Sequence, residues 1–257
     1  MVDSHAHLHM ISKNTDEVIE RAKKEGVKYI LCPSTSFEDI EEVALLSQRY
    51  EIVYSAIGIH PLYAENLEDS DLNRLEREIL RFAEDRKLVA IGETGLDFRK
   101  GKNPRKQIEF FRKHLEIAEK ISKPVIIHTR GEKDGKSAFS VAYEILKDFN
   151  VSAVFHCFSW GKEEMNKAFE RRFFISFSGN ITFDRKLDEV IKQADIGRIL
   201  TETDSPFLTP KPFRGKDENE PSYVRFVFKK ISEIKEKDIK EISCKITENF
   251  EEIFLKK

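Results

Sequence analysis

The feature that most constrains the fold of this chain is an alternation of short β-branched runs with longer amphipathic segments. Eight short runs recur from end to end: VDSHAHL near residue 2, VKYILC near 27, IVYSAIG near 52, LVAIGE near 88, PVIIHT near 124, SAVFHC near 152, FFISFSG near 173 and RILTETD near 198. Strands that alternate with helices in this way are typical of βα units on a parallel sheet.

The segments between the runs carry apolar residues at three- and four-residue spacing, which predicts helices. Examples are residues 15–25, 40–48, 108–121, 141–149 and 187–194, and the tail from Pro221 onward predicts two more. No glycine-, proline- or serine-rich linker divides the chain. We therefore expect an α/β fold, a (β/α)₈ TIM-like barrel forming a single domain over residues 1–257 with extra C-terminal helices. A doubly wound open sheet is the alternative.

Composition limits the classes of function. The net charge is −2, with 44 basic and 46 acidic residues, so no global positive field is available to hold a long nucleic acid. Three widely spaced cysteines argue against a disulfide framework and for a reducing compartment. The sequence has no secretory signal pattern and no run of 18 apolar residues, so we expect a cytoplasmic protein without a membrane span.

Polar side chains recur at the carboxyl ends of the predicted strands, where barrels of this class build their active sites. Six of them are potential metal ligands: His5, His7, Glu93, His128, His156 and Asp204. Burying four imidazoles and two carboxylates in one barrel mouth is costly without a cation. Six ligands are too many for one tetrahedral zinc, which favours two divalent metals. Spacing does not select the metal ion.

At these residues the chain resembles the TatD family of metal-dependent hydrolases, within the larger amidohydrolase-like group. The resemblance rests on DSHAHL, IGIHP, IGETGLDF, PVIIHTR, FHCFS, SFSGNITF, LTETDSP and NEP, which follow in the family's order. The chain departs from the family's pattern at His9, where Asp is common, and at Trp160, where Gly is usual.

The resemblance implies a TIM-like barrel with a divalent metal pair that hydrolyses phosphodiester bonds, typically as a Mg-dependent deoxyribonuclease. It implies one metal on His5, His7, Glu93 and Asp204 and another on Glu93, His128 and His156. Glu93 is then the bridging ligand. The expected cofactors are two divalent ions, Mg, Mn or Zn, and the expected substrate is DNA, single-stranded or at its ends.

Other residues are assigned roles from their positions. Asp204 is the candidate general base, and His60 either donates to a phosphate oxygen, orients water or caps the chain before Pro61. Arg130 and Arg214 are candidate phosphate contacts. Trp160 either stacks on an unpaired base at the rim or packs against the sixth helix.

The sequence also predicts the surroundings of four further side chains. We expect Glu202 to hydrogen-bond a ligand histidine and His9 to lie outside the direct ligand set. Cys157 should point away from the mouth as a small core residue, and His114, in a charged helix, should be exposed.

Two rival functions use the same residues. A small-molecule amidohydrolase or lactonase would need the same metal chemistry with different loops. A non-catalytic metal-binding or scaffolding protein is the third class. Metal identity, DNA versus RNA, end polarity and oligomeric state are open at this level.

Overall fold

The computed structural model describes residues 1–256, and its centre is a barrel of eight parallel strands. In chain order these are β1 (Val2–Asp3), β2 (Tyr29–Pro33), β3 (Val53–Ile57), β4 (Leu88–Asp97), β5 (Val125–Arg130), β6 (Ala153–Phe155), β7 (Phe174–Phe177) and β8 (Ile199–Thr201). Each strand begins within one of the eight predicted runs. Every strand pairs with the next one in sequence, so the predicted order is confirmed.

The first and last strands meet, which excludes the open-sheet alternative. The Ser4 amide donates to the Thr201 carbonyl at 2.9 Å, and the Thr201 hydroxyl donates to the Val2 carbonyl at 3.1 Å. Beyond the strand ends, Ala6 forms a parallel bridge with Ser205. The fold is therefore a TIM-like (β/α)₈ barrel whose seam joins residues from the two ends of the chain.

Helices pack around the sheet. They are α1 (Thr15–Lys24), α2 (Ile40–Arg49), α3 (Pro61–Ala64), α4 (Asp71–Arg81), α5 (Pro104–Ile121), α6 (Ala138–Leu146), α7 (Lys162–Glu170), α8 (Asp188–Gln193), α9 (Val224–Lys235) and α10 (Ile239–Phe250). Asparagine side chains cap the N-termini of two of these helices. Asn14 accepts from the Glu17 amide at α1, and Asn103 accepts from the Lys106 amide at α5. All the predicted helices correspond to observed ones.

The two C-terminal helices cover the barrel seam. Helix α10 packs against α9 and against both β8 and β1. Its buried face carries Ile242, Ile246 and Phe250, which are fully buried. Within the described chain, no helix combines the length and apolar character required to cross a membrane.

Strand β4 carries an irregularity that positions a carboxylate. Its pairing with β5 shifts register between Ile91 and Thr94. At Gly92, where φ is +138°, a Cβ atom would lie 2.6 Å from the Ile126 carbonyl oxygen, so no larger side chain fits. The backbone amide of the next residue, Glu93, donates to the Ser34 carbonyl at 3.2 Å. Such a bulge re-aims a side chain at the end of a strand.

The segment after β8 is held in place by a buried asparagine. The Asn219 side-chain amide donates to the Thr203 carbonyl at 2.8 Å and to the Phe207 carbonyl. Glu220, next in the chain, pairs with Arg21 of α1 at 2.9 Å. These contacts tie the long connection after β8 back to the first helix.

We predict that Asn219→Ala lowers the free energy of unfolding by about 2–4 kcal/mol, because it leaves two carbonyls without their buried donor. Urea unfolding measures this change. Asn249→Ala is the matched control, since the fully buried Asn249 amide also donates to two carbonyls, those of Ile196 and Ile199, far from the barrel mouth. Both variants should lose stability, but only Asn219→Ala should also lower activity under conditions where it remains folded. Equal activity in the two variants would contradict the prediction.

Candidate metal centre and cleft

The six predicted ligands lie together at the carboxyl end of the barrel. After β1, Ala6 bridges Ser205, and His5 and His7 on either side of it both reach the mouth, where their Nε2 atoms lie 3.1 Å apart. The His5 Nε2 atom is 3.2 Å from Glu93 Oε2, and the His7 Nε2 atom is 3.5 Å from the same oxygen. Asp204 Oδ1 lies 3.7 Å from His7 Nε2. The sequence spacing therefore identified side chains that converge.

The other oxygen of Glu93 faces a second group. Glu93 Oε1 lies 2.8 Å from His156 Nε2, 2.9 Å from His128 Nδ1 and 3.7 Å from His60 Nε2. Glu93 itself is 2% exposed. Burial opposes its charge, yet the charge of the His156 imidazole holds the pKa of Glu93 well below its ordinary value. A buried, ionised carboxylate thus lies between two sets of imidazole nitrogens.

This donor set fits divalent cations. The potential ligand atoms of His5, His7 and Asp204 lie within 4.8 Å of one another, and the same is true of His5, Glu93 and His156. Burial lowers the pKa of His7 well below its ordinary value, so its imidazole is neutral and offers a lone pair. Facing lone pairs on neighbouring nitrogens repel each other unless a cation or proton lies between them. Nitrogen and carboxylate donors together suit Zn, Mn, Co or Ni, and the carboxylates admit Mg.

Two carboxylates orient the ligand histidines. Glu202 Oε1 accepts from His156 Nδ1 at 3.3 Å, which is the contact expected for it, and turns His156 Nε2 towards Glu93. Asp97 Oδ2 lies 3.3 Å from His128 Nε2 and turns Nδ1 of that ring towards the site. Burial opposes the charge of Asp97, but hydrogen bonds from His128 and the Lys100 amide hold its pKa at about 2. Such contacts fix both tautomer and ring orientation.

Asp97 was not identified from the sequence, although a signal was present. It lies four residues after Glu93 in β4, so period two places both side chains on the same face of the strand. The predicted run ended at Glu93, whereas the strand continues to Asp97.

His60 caps the chain at Pro61, which is one of the roles considered for it. Its Nδ1 atom accepts the Leu62 amide at 3.2 Å and caps α3. Burial lowers the pKa of His60 to about 3, so the ring is neutral. With Nδ1 acting as acceptor, the proton resides on Nε2, which faces Glu93 Oε1. His60 therefore presents an N–H donor to the cleft.

His114 is buried, and the expectation that it is exposed is wrong. Its Nε2 atom accepts the Ile59 amide at 2.9 Å, next to His60 in the chain. Its Nδ1 atom donates to the Phe110 carbonyl at 2.6 Å, and burial lowers its pKa to about 4. The charged residues on the outer face of α5 concealed this inward-facing position.

Cys157 also differs from expectation, because it lines the cleft instead of pointing towards the helices. It adopts a left-handed conformation, with φ at +46°, just after β6 ends at Phe155. Strand alternation therefore no longer applies at Cys157. His9 lies outside the ligand groups, with its Nε2 atom 3.3 Å from Asp39 Oδ2.

A cleft of about 1080 Å³ opens over these residues. Arg130 and Trp160 line it. The Trp160 indole N–H donates to the Thr129 hydroxyl at 2.9 Å, and its ring packs against Phe139 of α6. Arg214 does not line the cleft. It is exposed and stacks over Phe183, with 3.4 Å between the guanidinium carbon and the ring centroid.

The comparisons with known proteins agree with this geometry. The profile of TatD related DNases matches residues 2–255. An uncharacterised metal-dependent hydrolase of Bacillus subtilis, YabD, is 38% identical, over 99% of this chain and 98% of its own. The 3'-5' ssDNA/RNA exonuclease TatD of Citrobacter koseri is 30% identical over 94% of this chain and 93% of its own.

A solved structure is also similar over its full length. The crystal structure of the TatD homolog YjjV from Escherichia coli has a TM-score of 0.90 and 28% identity, covering 100% of this chain and 98% of that one. Profile, relatives and fold therefore agree with the convergent ligands: this chain belongs to the TatD-related DNase family of metal-dependent hydrolases.

Proposed function

We propose that this metal-dependent hydrolase is a deoxyribonuclease that uses two divalent ions, Mg, Mn or Zn, to cleave DNA at single strands or ends. The observation that carries the proposal is the carboxylate of Glu93, whose two oxygens face different groups of histidine nitrogens. That arrangement is the one required of a bridging ligand between two cations about 3.5–4 Å apart. The whole chain acts as one domain in this proposal.

Three features support a nucleic-acid substrate. The cleft, at about 1080 Å³, is as large as the largest pockets usual for small molecules, whose range is about 300–1,000 Å³. Three cations, Arg99, Lys100 and Arg130, line it. The Citrobacter koseri relative bears the name of a single-strand exonuclease.

His5, His7, Glu93 and Asp204 would hold one ion, and Glu93, His128 and His156 the other. Ions bound there lower the pKa of a water molecule towards neutrality and stabilise charge on phosphate oxygens. Asp204 would accept the proton of the attacking water. Burial raises the pKa of Asp204 to about 6 in the metal-free site. A cation beside it would favour the ionised carboxylate, which is the form that accepts a proton.

His60 and Arg130 complete the proposed mechanism. The Nε2 proton of His60 faces the centre of the site and would donate to a phosphoryl oxygen as charge develops there. The Arg130 guanidinium would bind a phosphate oxygen of the strand by a charge-assisted hydrogen bond. The predicted contact from Arg214 would require this exposed side chain to leave Phe183.

Substrate class is tested with end-labelled single strands, duplexes, amides and lactones, each with Mg, Mn and Zn. We expect strand hydrolysis at a rate well above that of the amides and lactones. Lactone or amide turnover without strand hydrolysis would replace the nuclease proposal with the amidohydrolase alternative.

We predict that Glu93→Gln lowers both the metal content and the hydrolysis rate, because the amide offers neither the charge nor the second anionic oxygen of a bridge. Elemental analysis of the purified protein and a rate measurement test this. Glu132→Gln is the matched control, since Glu132 lines the same cleft but is exposed and outside the ligand groups. Two bound metals and full activity in Glu93→Gln would remove Glu93 from the mechanism.

We predict that Asp204→Asn keeps at least one metal and loses activity by a factor of at least about 10², as removal of a general base does. The backbone should tolerate the change, because Asp204 has φ of +55° and Asn adopts this left-handed region readily. Melting temperature, metal content and turnover are measured together. Normal turnover would place the base elsewhere, with His60 the next residue to test.

A further inference from the structure

The cleft contains two exposed aromatic rings that the proposed chemistry does not use. The large exposed hydrophobic side chains of residues 1–256 are Leu45, Tyr63, Phe207 and Ile239. The two aromatic ones, Tyr63 at 50% exposure and Phe207 at 53%, both line the cleft, and the two aliphatic ones do not. Large apolar surface left open at a site points to a ligand with apolar faces.

The rings lie beside different parts of the metal centre. The Phe207 ring centroid is 6.1 Å from that of His7, in the group formed with His5 and Asp204. The Tyr63 ring centroid is 6.5 Å from that of His60, which is grouped with Glu93 and His128. The two aromatic rings therefore lie beside different histidines of the centre.

The backbone fixes both rings relative to the site. The Tyr63 amide donates to the His60 carbonyl at 2.9 Å, and the Phe207 amide donates to the Asp204 carbonyl at 2.8 Å. Phe207 is also held by Asn219 through its own carbonyl. Each ring is thus three residues beyond a residue of the centre and hydrogen-bonded to it, so its backbone is positioned while its side chain stays exposed.

Unpaired cations line the same cleft. Arg99 and Lys100 are exposed and Arg130 is half-buried. Within the described chain, none of the three has a carboxylate oxygen within 4.0 Å. Asp97, the acid nearest to Arg99 and Lys100 in sequence, is occupied by His128 and by the Arg99 and Lys100 amides. These side chains are free to bind an anionic backbone.

Trp160 is less suited to receive a base than these two rings. Its indole N–H is bonded to Thr129, and its ring is half-buried against Phe139. The side chain therefore forms part of the cleft wall.

We propose that Tyr63 and Phe207 are stacking platforms for unpaired nucleobases on the two sides of the scissile phosphate, with Arg99, Lys100 and Arg130 on the neighbouring backbone. This deepens the proposed nuclease function and rests on it. Aromatic rings bind any base by its flat face, with little dependence on sequence. In a duplex those faces are covered by neighbouring base pairs, so the platforms select single strands or frayed ends.

The test uses the metal-loaded protein and a labelled single-stranded oligonucleotide. Tyr63→Ala and Phe207→Ala should each raise KM by about 5- to 150-fold, the effect of losing one stacked base. The dissociation constant for a hydrolysis-resistant phosphorothioate strand, measured by fluorescence anisotropy, should rise by a similar factor. Tyr63→Phe keeps the ring and should restore most of the affinity that Tyr63→Ala loses. Leu45→Ala, which removes an exposed side chain outside the cleft, is the matched control.

An abasic nucleotide distinguishes stacking from general damage to the site. When a strand lacks the base that contacts Phe207 or Tyr63, the corresponding alanine variant should bind it as well as the unmodified protein does. The platform proposal would be overturned if an alanine variant lost as much affinity for the abasic strand as for the intact strand, or lost no affinity for either. Strand hydrolysis by the unmodified protein would still support the nuclease proposal in that case. If the unmodified protein hydrolysed no strand, the nuclease proposal would be overturned instead. The strand affinities of the alanine variants would still test the stacking platforms.

Discussion

The site depends on one buried carboxylate, that of Glu93, placed between imidazoles that approach it from two sides. A charge buried at the base of the barrel mouth is costly unless opposite charge or strong donors surround it. Here the backbone bends to meet that need, since the bulge at Gly92 turns the carboxylate inward and leaves no room for a Cβ at the preceding position. The irregularity in β4 and the position of the buried charge therefore depend on each other.

A second layer of polar contacts holds the ligands at fixed angles. Glu202 and Asp97 each bind the outer nitrogen of one histidine. The fully buried Asp3 accepts from the Thr203 amide at 2.9 Å and from the Thr203 hydroxyl at 2.6 Å, next to Asp204. His114 holds the backbone that leads into His60. The cleft above these contacts is open and is lined by exposed side chains. One set of residues therefore holds the ligands in place, and a different set faces the open cleft.

Strand alternation and strand-end position predicted the barrel and the convergence of the six ligands, because both arise from the backbone repeat of a parallel sheet. They did not predict the conformation of the residues just beyond each strand. Cys157 and Asp204 have positive φ, so the chain turns there and period two no longer tells where a side chain points. His114 was misassigned because a helix with a charged outer face can still bury a polar ring that finds hydrogen-bond partners. Exposure of Tyr63 and Phe207 depends on the packing of loops, which local sequence does not encode.

The seam between β1 and β8 joins residues that lie far apart in the sequence. Its closing hydrogen bond joins the Thr201 hydroxyl to the Val2 carbonyl, 199 residues earlier in the chain. During synthesis, His5 and His7 emerge well before Asp204 and the strand that closes the barrel. Contacts this distant in sequence form late, after the intervening units have folded. A chain interrupted before β8 therefore carries five of the six candidate ligands but lacks both Asp204 and the strand that closes the barrel.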